Sequence, residues 1–113
     1  MTRRVPKPWG EEIIFAHTGR YAGKILKVRR GESLSLQYHR EKDETIYVYE
    51  GRLQVLVETD GRREEKVLGP GESLHFPPGT RHRMAGLEDC VLFEVSTPEL
   101  DDVVRLEDRY GRA

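Results

Sequence analysis

Apolar and polar residues recur with a period of two along most of this 113-residue chain. Leu53, Val55 and Val57 occupy every second position, and the segment KILKVR at 24–29 alternates charged with apolar residues, as half-buried strands do. No segment of helix length shows the spacing of an amphipathic helix. The pattern therefore predicts some eight to ten short strands joined by turns, and a small antiparallel barrel or sandwich.

Turn-forming residues divide the chain into these strands. Asp60-Gly61 predicts a two-residue hairpin, with EEKVL as the second strand. Ser33–His39 is predicted to pair with Thr45–Glu50 across the polar turn REKD. The other predicted strands are Glu12–Ala16, Lys24–Arg29, the segment around Leu53–Val57, Glu72–Phe76, Arg81–Met84 and Cys90–Ser96.

The length fits one domain, residues 1–113. Residues 1–10, MTRRVPKPWG, are predicted to form an irregular arm because prolines interrupt them. Residues 98–113 are predicted to form a C-terminal extension. At its start Thr97-Pro98 is suited to begin one helical turn, and the tail from Val103 is predicted to be extended and polar.

Composition excludes several classes of function. Nineteen basic and twenty acidic residues give a net charge of −1, which predicts no nucleic-acid partner. No apolar run approaches the roughly 18 residues of a membrane helix, and the first residues do not resemble a signal peptide. The single cysteine, Cys90, cannot form an internal disulfide. These features predict a cytoplasmic protein with no membrane partner.

The stretch Gly31–Gly51 carries the first candidate site. Gln37 and His39 are two positions apart and therefore share one face of a strand. Glu44 follows the turn REKD, so that it can approach the same surface. Amide, imidazole and carboxylate groups on one surface are suited to bind a metal ion.

The stretch Gly71–Gly86, GESLHFPPGTRHRMAG, adds a strand, a Pro-Gly turn and His82. Together the two stretches resemble the two-part motif of the cupin superfamily: glycine, two histidines, glutamate and glycine, then glycine, proline, glycine and histidine. Gln37 stands where most cupins have their first histidine, and Gly86 stands where many have asparagine.

The glutamine in SLQYH resembles the mannose-6-phosphate isomerase branch of the cupins, the type II phosphomannose isomerases. KPWGEE near the start and FEVSTPELDDVVRLEDRYGR near the end agree with that branch. The resemblance implies an all-β, single-domain cupin, a small antiparallel β-barrel or double-stranded β-helix of the jelly-roll type. It also implies a homodimer, which would cover apolar residues that face outward.

The same resemblance implies four metal ligands: Gln37, His39, Glu44 and His82. This mixed nitrogen and oxygen set suits a divalent ion, zinc first, with Mn, Fe, Co or Ni as alternatives. Because only one ligand is anionic, the bound ion keeps positive charge and can act as a Lewis acid on an anionic or carbonyl-bearing ligand.

The implied reaction is aldose–ketose isomerisation of a phosphosugar, mannose-6-phosphate to fructose-6-phosphate. A base must move a proton between adjacent carbons, and Glu94 and Lys24 are the candidates. Arg105 is the first candidate for the phosphate, ahead of Arg109 and Arg112. Two other functions stay open: a non-haem metal oxygenase that uses only the two histidines and the glutamate, and a non-catalytic cupin that binds a sugar or metabolite.

Overall fold

Eleven β-strands make up the regular secondary structure of residues 2–113, the part of the chain that the computed structural model describes. Their bounds are β1 Arg3–Lys7, β2 Gly10–His17, β3 Ala22–Val28, β4 Leu36–Tyr38, β5 Glu44–Glu50, β6 Leu53–Thr59, β7 Arg62–Leu68, β8 Ser73–Phe76, β9 Arg81–Gly86, β10 Cys90–Ser96 and β11 Val104–Glu107. These residues include no helix that could cross a membrane.

The strands form two antiparallel sheets that pack around one core. The six-stranded sheet has the order β1-β2-β3-β10-β5-β8, and the five-stranded sheet has the order β11-β4-β9-β6-β7. Ile46 and Val48 on β5 are fully buried, whereas the alternate residues Tyr47 and Tyr49 are 41% and 55% exposed. This period of two gives β5 an inner and an outer face, as the sequence predicts. The predicted all-β class is confirmed.

The hairpin predicted at Asp60-Gly61 is present. Thr59 on β6 pairs with Arg62 on β7, which leaves two residues in the turn. Asp60 and Gly61 have φ of 51° and 75°, and a type I′ turn requires positive φ at both central positions.

The predicted irregular N-terminal arm is wrong, because residues 3–7 form strand β1. Arg3 pairs with Ile14 and Lys7 with Gly10, and Pro6 lies within the ladder opposite Glu11. Because β1 is the edge strand of its sheet, the N–H that Pro6 lacks is not needed by a further strand. The proline therefore marks an edge strand here.

The predicted hairpin between Ser33–His39 and Thr45–Glu50 is also wrong. Regular pairing is confined to Leu36–Tyr38, which pairs with β9 and β11, whereas β5 pairs with β8 and β10 in the other sheet. Residues 39–43 thus cross from one sheet to the other.

The helical turn predicted after Thr97 does not form. Residues 97–103 contain only turns, bends and irregular backbone, and the Thr97 hydroxyl instead accepts a hydrogen bond from the backbone N–H of Asp43, at 2.9 Å. The predicted extended tail is confirmed in part, since Val104–Glu107 forms β11 and pairs with β4.

Candidate metal centre

Three buried side chains converge between the two sheets: His39 after β4, Glu44 at the start of β5 and His82 on β9. Their exposed fractions are 5%, 2% and 1%. Glu44 Oε1 lies 2.8 Å from His39 Nε2 and 3.2 Å from His82 Nε2. The sequence motifs predicted all three residues, and one ligand atom from each lies within 4.8 Å of the others.

The opposite nitrogen of each ring contacts a backbone carbonyl. His39 Nδ1 donates to the Asp102 carbonyl at 2.5 Å, and His82 Nδ1 donates to the Thr80 carbonyl at 3.0 Å. Since a carbonyl can only accept, each ring carries a proton on Nδ1, and the neutral tautomer presents an Nε2 lone pair. Metal-binding histidines are commonly oriented in this way.

The atoms that face one another are therefore acceptors. His39 Nε2, His82 Nε2 and Glu44 Oε1 are all buried and have no hydrogen-bond partner among residues 2–113. Burying unpaired polar atoms is unfavourable, and a cation between them would satisfy all three. The donor set present in the structure thus fits a divalent metal ion.

Glu44 is held in its charged form. Burial would raise the pKa of its carboxyl, but its surroundings, the Lys42 ammonium among them, hold that pKa below its usual range. Lys42 Nζ lies 3.4 Å from Glu44 Oε2, so that the lysine contacts one carboxylate oxygen while the other faces the histidines.

Gln37, the fourth predicted ligand, lies beside this cluster. It pairs directly with His82 across β4 and β9, and opposed residues of an antiparallel pair share one face of the sheet. The Ser35 hydroxyl donates to Gln37 Oε1 at 2.8 Å, as expected of two residues on the same face. Gln37 and His39 both line the main cavity.

Buried charged groups extend from the cluster. Glu94 Oε2 lies 3.0 Å from Lys42 Nζ and 3.9 Å from Lys24 Nζ, and Lys24 donates to Glu12 at 2.5 Å. Burial, together with the negative charge of Glu44, raises the pKa of Glu94 to about 7, although both lysines oppose the shift. Sequence reasoning found Glu94 and Lys24 but missed Lys42 and Glu12, which no local pattern distinguishes from turn or surface residues.

A cavity of about 450 Å³ opens beside these groups. All three predicted catalytic residues, Glu94, Lys24 and Arg105, line it together with Gln37 and His39. Other lining residues come from the two ends of the chain, and they include Arg3, Lys7, Trp9, Glu12, Leu100, Asp101, Val103 and Arg112.

The three predicted arginines differ in their surroundings. Arg105 Nε is buried without a hydrogen-bond partner in the described part of the chain, and its side chain lines the cavity. Arg112 also lines the cavity but is bound by Asp108, at 2.8 and 2.9 Å. Arg109 donates to the Gly31 carbonyl at 2.6 Å. Of the three, Arg105 has the donor best placed for an anion.

Arg105, Gln37 and His82 form one cross-strand row. Arg105 pairs with Gln37 across β11 and β4, and Gln37 pairs with His82 across β4 and β9. Because neighbouring strands are about 4.8 Å apart, the backbones of Arg105 and His82 are separated by roughly 10 Å. A ligand lying along this row would contact the candidate metal centre at one end and the arginine at the other.

Comparison with known proteins gives one family match and a set of curated relatives. The family model Cupin domain matches residues 24–96. The mannose-1-phosphate guanylyltransferase ManC of Salmonella typhimurium is 39% identical over 99% of this chain and 24% of its own length. The alginate biosynthesis protein AlgA of Pseudomonas aeruginosa is 33% identical over 96% of this chain and 23% of its own length. The chain thus spans about a quarter of the length of these relatives.

Solved structures agree on the fold. KdgF from Halomonas sp. has a TM-score of 0.74 and 27% sequence identity, with 89% of this chain and 90% of KdgF covered. Oxalate decarboxylase from Bacillus subtilis has a TM-score of 0.82, with 99% of this chain and 32% of the decarboxylase chain covered. Because the sequence identity is 19%, this similarity concerns the fold alone.

Proposed function

This chain belongs to the cupin family, as its two motifs predicted, and we propose that it is a metal-dependent aldose–ketose isomerase that interconverts mannose-6-phosphate and fructose-6-phosphate. The observation that carries the proposal is the convergence of three unpaired, buried acceptor atoms beside a cavity that also contains an acid–base candidate and a cation. The similarity to enzymes named for mannose-1-phosphate supports a sugar-phosphate ligand.

His39, Glu44 and His82 would hold the metal, with Gln37 as a fourth ligand beside them. Zinc is the first candidate, and Mn, Fe, Co and Ni suit the same donors. When bound, a divalent ion supplies Lewis-acid polarisation of the sugar's carbonyl and hydroxyl oxygens.

Glu94 is the proposed base. It is 4% exposed, and burial raises its pKa to about 7, so that it can both take and return a proton near neutral pH. In the proposed reaction Glu94 removes the proton from the hydroxyl-bearing carbon next to the sugar carbonyl and returns it to the former carbonyl carbon, while the proton of that hydroxyl moves to the former carbonyl oxygen. Lys24 is already bound to Glu12 and lies 3.9 Å from Glu94, which favours a role as the cation that balances the charge of Glu94.

Arg105 is the proposed phosphate ligand. Its guanidinium carries donors in a planar fork that matches phosphate oxygens, and the structure leaves its Nε without a partner. The roughly 10 Å between the backbones of Arg105 and His82 leaves room for a hexose phosphate whose carbonyl end lies at the metal centre.

The test is an isomerase assay on purified protein loaded in turn with Zn, Mn, Fe, Co and Ni. We expect metal-dependent interconversion of the two hexose phosphates, and we expect His39→Ala to abolish both metal binding and turnover. His17→Ala is the matched control, since His17 is exposed, lies outside the cluster and contacts the Pro98 carbonyl. Absence of turnover with every metal and several phosphosugars would refute the proposal.

A second candidate rests on the composition of the cluster. Two histidines and one carboxylate form the ligand set of non-haem iron oxygenases. Iron-dependent oxygen uptake with a small substrate, without isomerase activity, would favour that function. Stabilisation by a phosphosugar without any product would favour a binding protein instead.

The outer face of the six-stranded sheet supports the proposed homodimer. Tyr47 and Tyr49 pack on Phe93, with ring centroids at 6.3 and 5.5 Å, and both tyrosines are exposed beside the 59% exposed Val95. A second copy of the chain would cover this apolar face. A solution mass equal to one chain would contradict the dimer.

A further inference from the structure

The segment that joins His39 to Glu44 is held by one residue of the C-terminal extension. The Asp102 carboxylate accepts hydrogen bonds from the backbone N–H groups of Arg40, Glu41 and Lys42, at 3.1, 2.7 and 2.9 Å. The Asp102 carbonyl accepts the hydrogen bond from His39 Nδ1, at 2.5 Å. Four consecutive residues therefore donate to Asp102.

Thr97 completes this arrangement. Its hydroxyl accepts from the N–H of Asp43 at 2.9 Å, and its own N–H donates to the Asp43 carbonyl at 3.0 Å. The backbone N–H groups of residues 40–43 are thus all bound by Thr97 and Asp102, which lie outside the matched family region at 24–96.

We infer that Asp102 is a positioning residue for the candidate metal centre. It fixes the ring of His39 through its carbonyl and fixes the crossing segment between His39 and Glu44 through its carboxylate. This inference rests on the metal binding put forward in the proposed function.

The physical reason lies in where the crossing segment leads. His39 and Glu44 flank the segment, belong to different sheets and present ligand atoms only 2.8 Å apart. Three successive N–H groups that point at one place form a concave site for an anion, and here the anion is the Asp102 carboxylate. Without it, the three donors must turn towards water, and this rotates the backbone that spaces the two ligand residues.

The carbonyl of Asp102 acts on the same ligand by a second route. Its hydrogen bond fixes the proton of His39 on Nδ1 and therefore directs the Nε2 lone pair at Glu44 Oε1. The Asp102 carboxylate also anchors the backbone that carries the Asp102 carbonyl. Loss of the Asp102 side chain therefore loosens both its bonds to the crossing segment and the carbonyl contact with His39.

The experiment measures zinc affinity by competition with a chromophoric chelator for the wild type, Asp102→Ala and Asp102→Asn. We expect Asp102→Ala to bind zinc about 10- to 100-fold more weakly, the usual effect of losing a group that orients a metal ligand. Asp102→Asn keeps one acceptor oxygen and should lose less affinity. The absorption bands of bound Co(II) should shift in both variants because the ligand geometry changes.

Glu72→Ala is the matched control. Glu72 also accepts a hydrogen bond from a backbone N–H through its carboxylate, from Gly69 at 2.7 Å, but it lies in the turn before β8, and neither residue lines the main cavity. Its variant should lower the melting temperature of the metal-free protein and leave the zinc affinity and the Co(II) bands unchanged.

The outcomes separate the inference from the proposed function. A wild type without zinc affinity would overturn the metal centre itself. A wild type that binds zinc, together with an Asp102→Ala variant of equal affinity and unchanged Co(II) bands, would overturn the role of Asp102 alone. If Asp102→Ala does not fold, the same comparison with Asp102→Asn decides the question.

Discussion

Arg105→Met tests whether Arg105, on β11, binds the phosphate group of the proposed ligand. Arg105 Nε is buried with no partner and its side chain lines the cavity, so that an incoming phosphate would gain a charge-assisted hydrogen bond without breaking one within the protein. Such a bond contributes about 1.5–3 kcal/mol. At about 1.4 kcal/mol for each tenfold change in affinity, the variant should bind a phosphosugar roughly 10- to 150-fold more weakly.

The assay compares mannose-6-phosphate with mannose by calorimetric titration of the metal-loaded protein. Methionine keeps the apolar stem of the side chain, so the loss should be confined to the phosphorylated sugar, and the zinc affinity should not change. Arg109→Met is the control, because Arg109 lies in the same tail but donates to the Gly31 carbonyl. Equal binding of mannose-6-phosphate by wild type and Arg105→Met would show that the phosphate is not bound at this arginine.

Two predictions concern stability. Gly51→Ala and Gly71→Ala both place a side chain at positive φ, 87° and 89°, at a cost of about 1–2 kcal/mol. At Gly51 the new Cβ would also lie 2.3 Å from the Asp89 carbonyl oxygen. At Gly71 the new Cβ would meet no described atom within 4 Å. Urea denaturation should therefore show the larger loss for Gly51→Ala, and equal losses would contradict this reasoning. Hydrogen bonds from Arg112 lower the pKa of Asp108 to about 2. The ionised Asp108 carboxylate should therefore stabilise the fold fully above its ordinary pKa of about 3.9, and this stabilisation should be lost as the pH falls through about 2. The difference in unfolding free energy between wild type and Asp108→Asn should shrink over that range, and a constant difference would be evidence against the assignment.

Local patterns in the sequence were enough to predict most of the strands. The period-two alternation on β5 and the Asp60-Gly61 turn depend only on residues close together in the chain, and both are present, whereas on β6 Leu56 is buried as well as Leu53 and Val55. The two motifs likewise predicted His39, Glu44 and His82, which the fold brings together.

The pairing of strands was not predictable in the same way. Glu44 on β5 pairs with Ser96 and Phe76, and Gln37 on β4 pairs with Arg105. These partners are distant in sequence, and the polar turn at 40–43 gives no sign that it crosses between sheets. A local hairpin was therefore the simplest interpretation. It placed Glu44 on the same sheet as Gln37, which is wrong, but it correctly brought the Glu44 carboxylate close to His39.

The groups that hold the site were missed for a related reason. Asp102 and Lys42 occur in polar segments whose composition is that of any surface turn. Only the folded chain shows that Lys42 is 4% exposed between two carboxylates and that Asp102 binds the crossing segment. Their roles depend on contacts about 50 to 60 residues apart in the chain.

The candidate metal centre lies within the matched family region, whereas part of the proposed ligand-binding cavity comes from outside it. His39, Glu44 and His82 lie within the matched region 24–96. Arg105 and the N-terminal wall of the cavity, which includes Trp9 and Glu12, lie outside it. Substitutions of Arg105, Trp9 or Glu12 can therefore alter the charge and shape of the cavity without removing any of the three central ligands. It follows that residues 2–23 and Arg105 should determine which anion or sugar is bound, whereas metal affinity should depend on the central strands and, through Asp102, on the C-terminal flank.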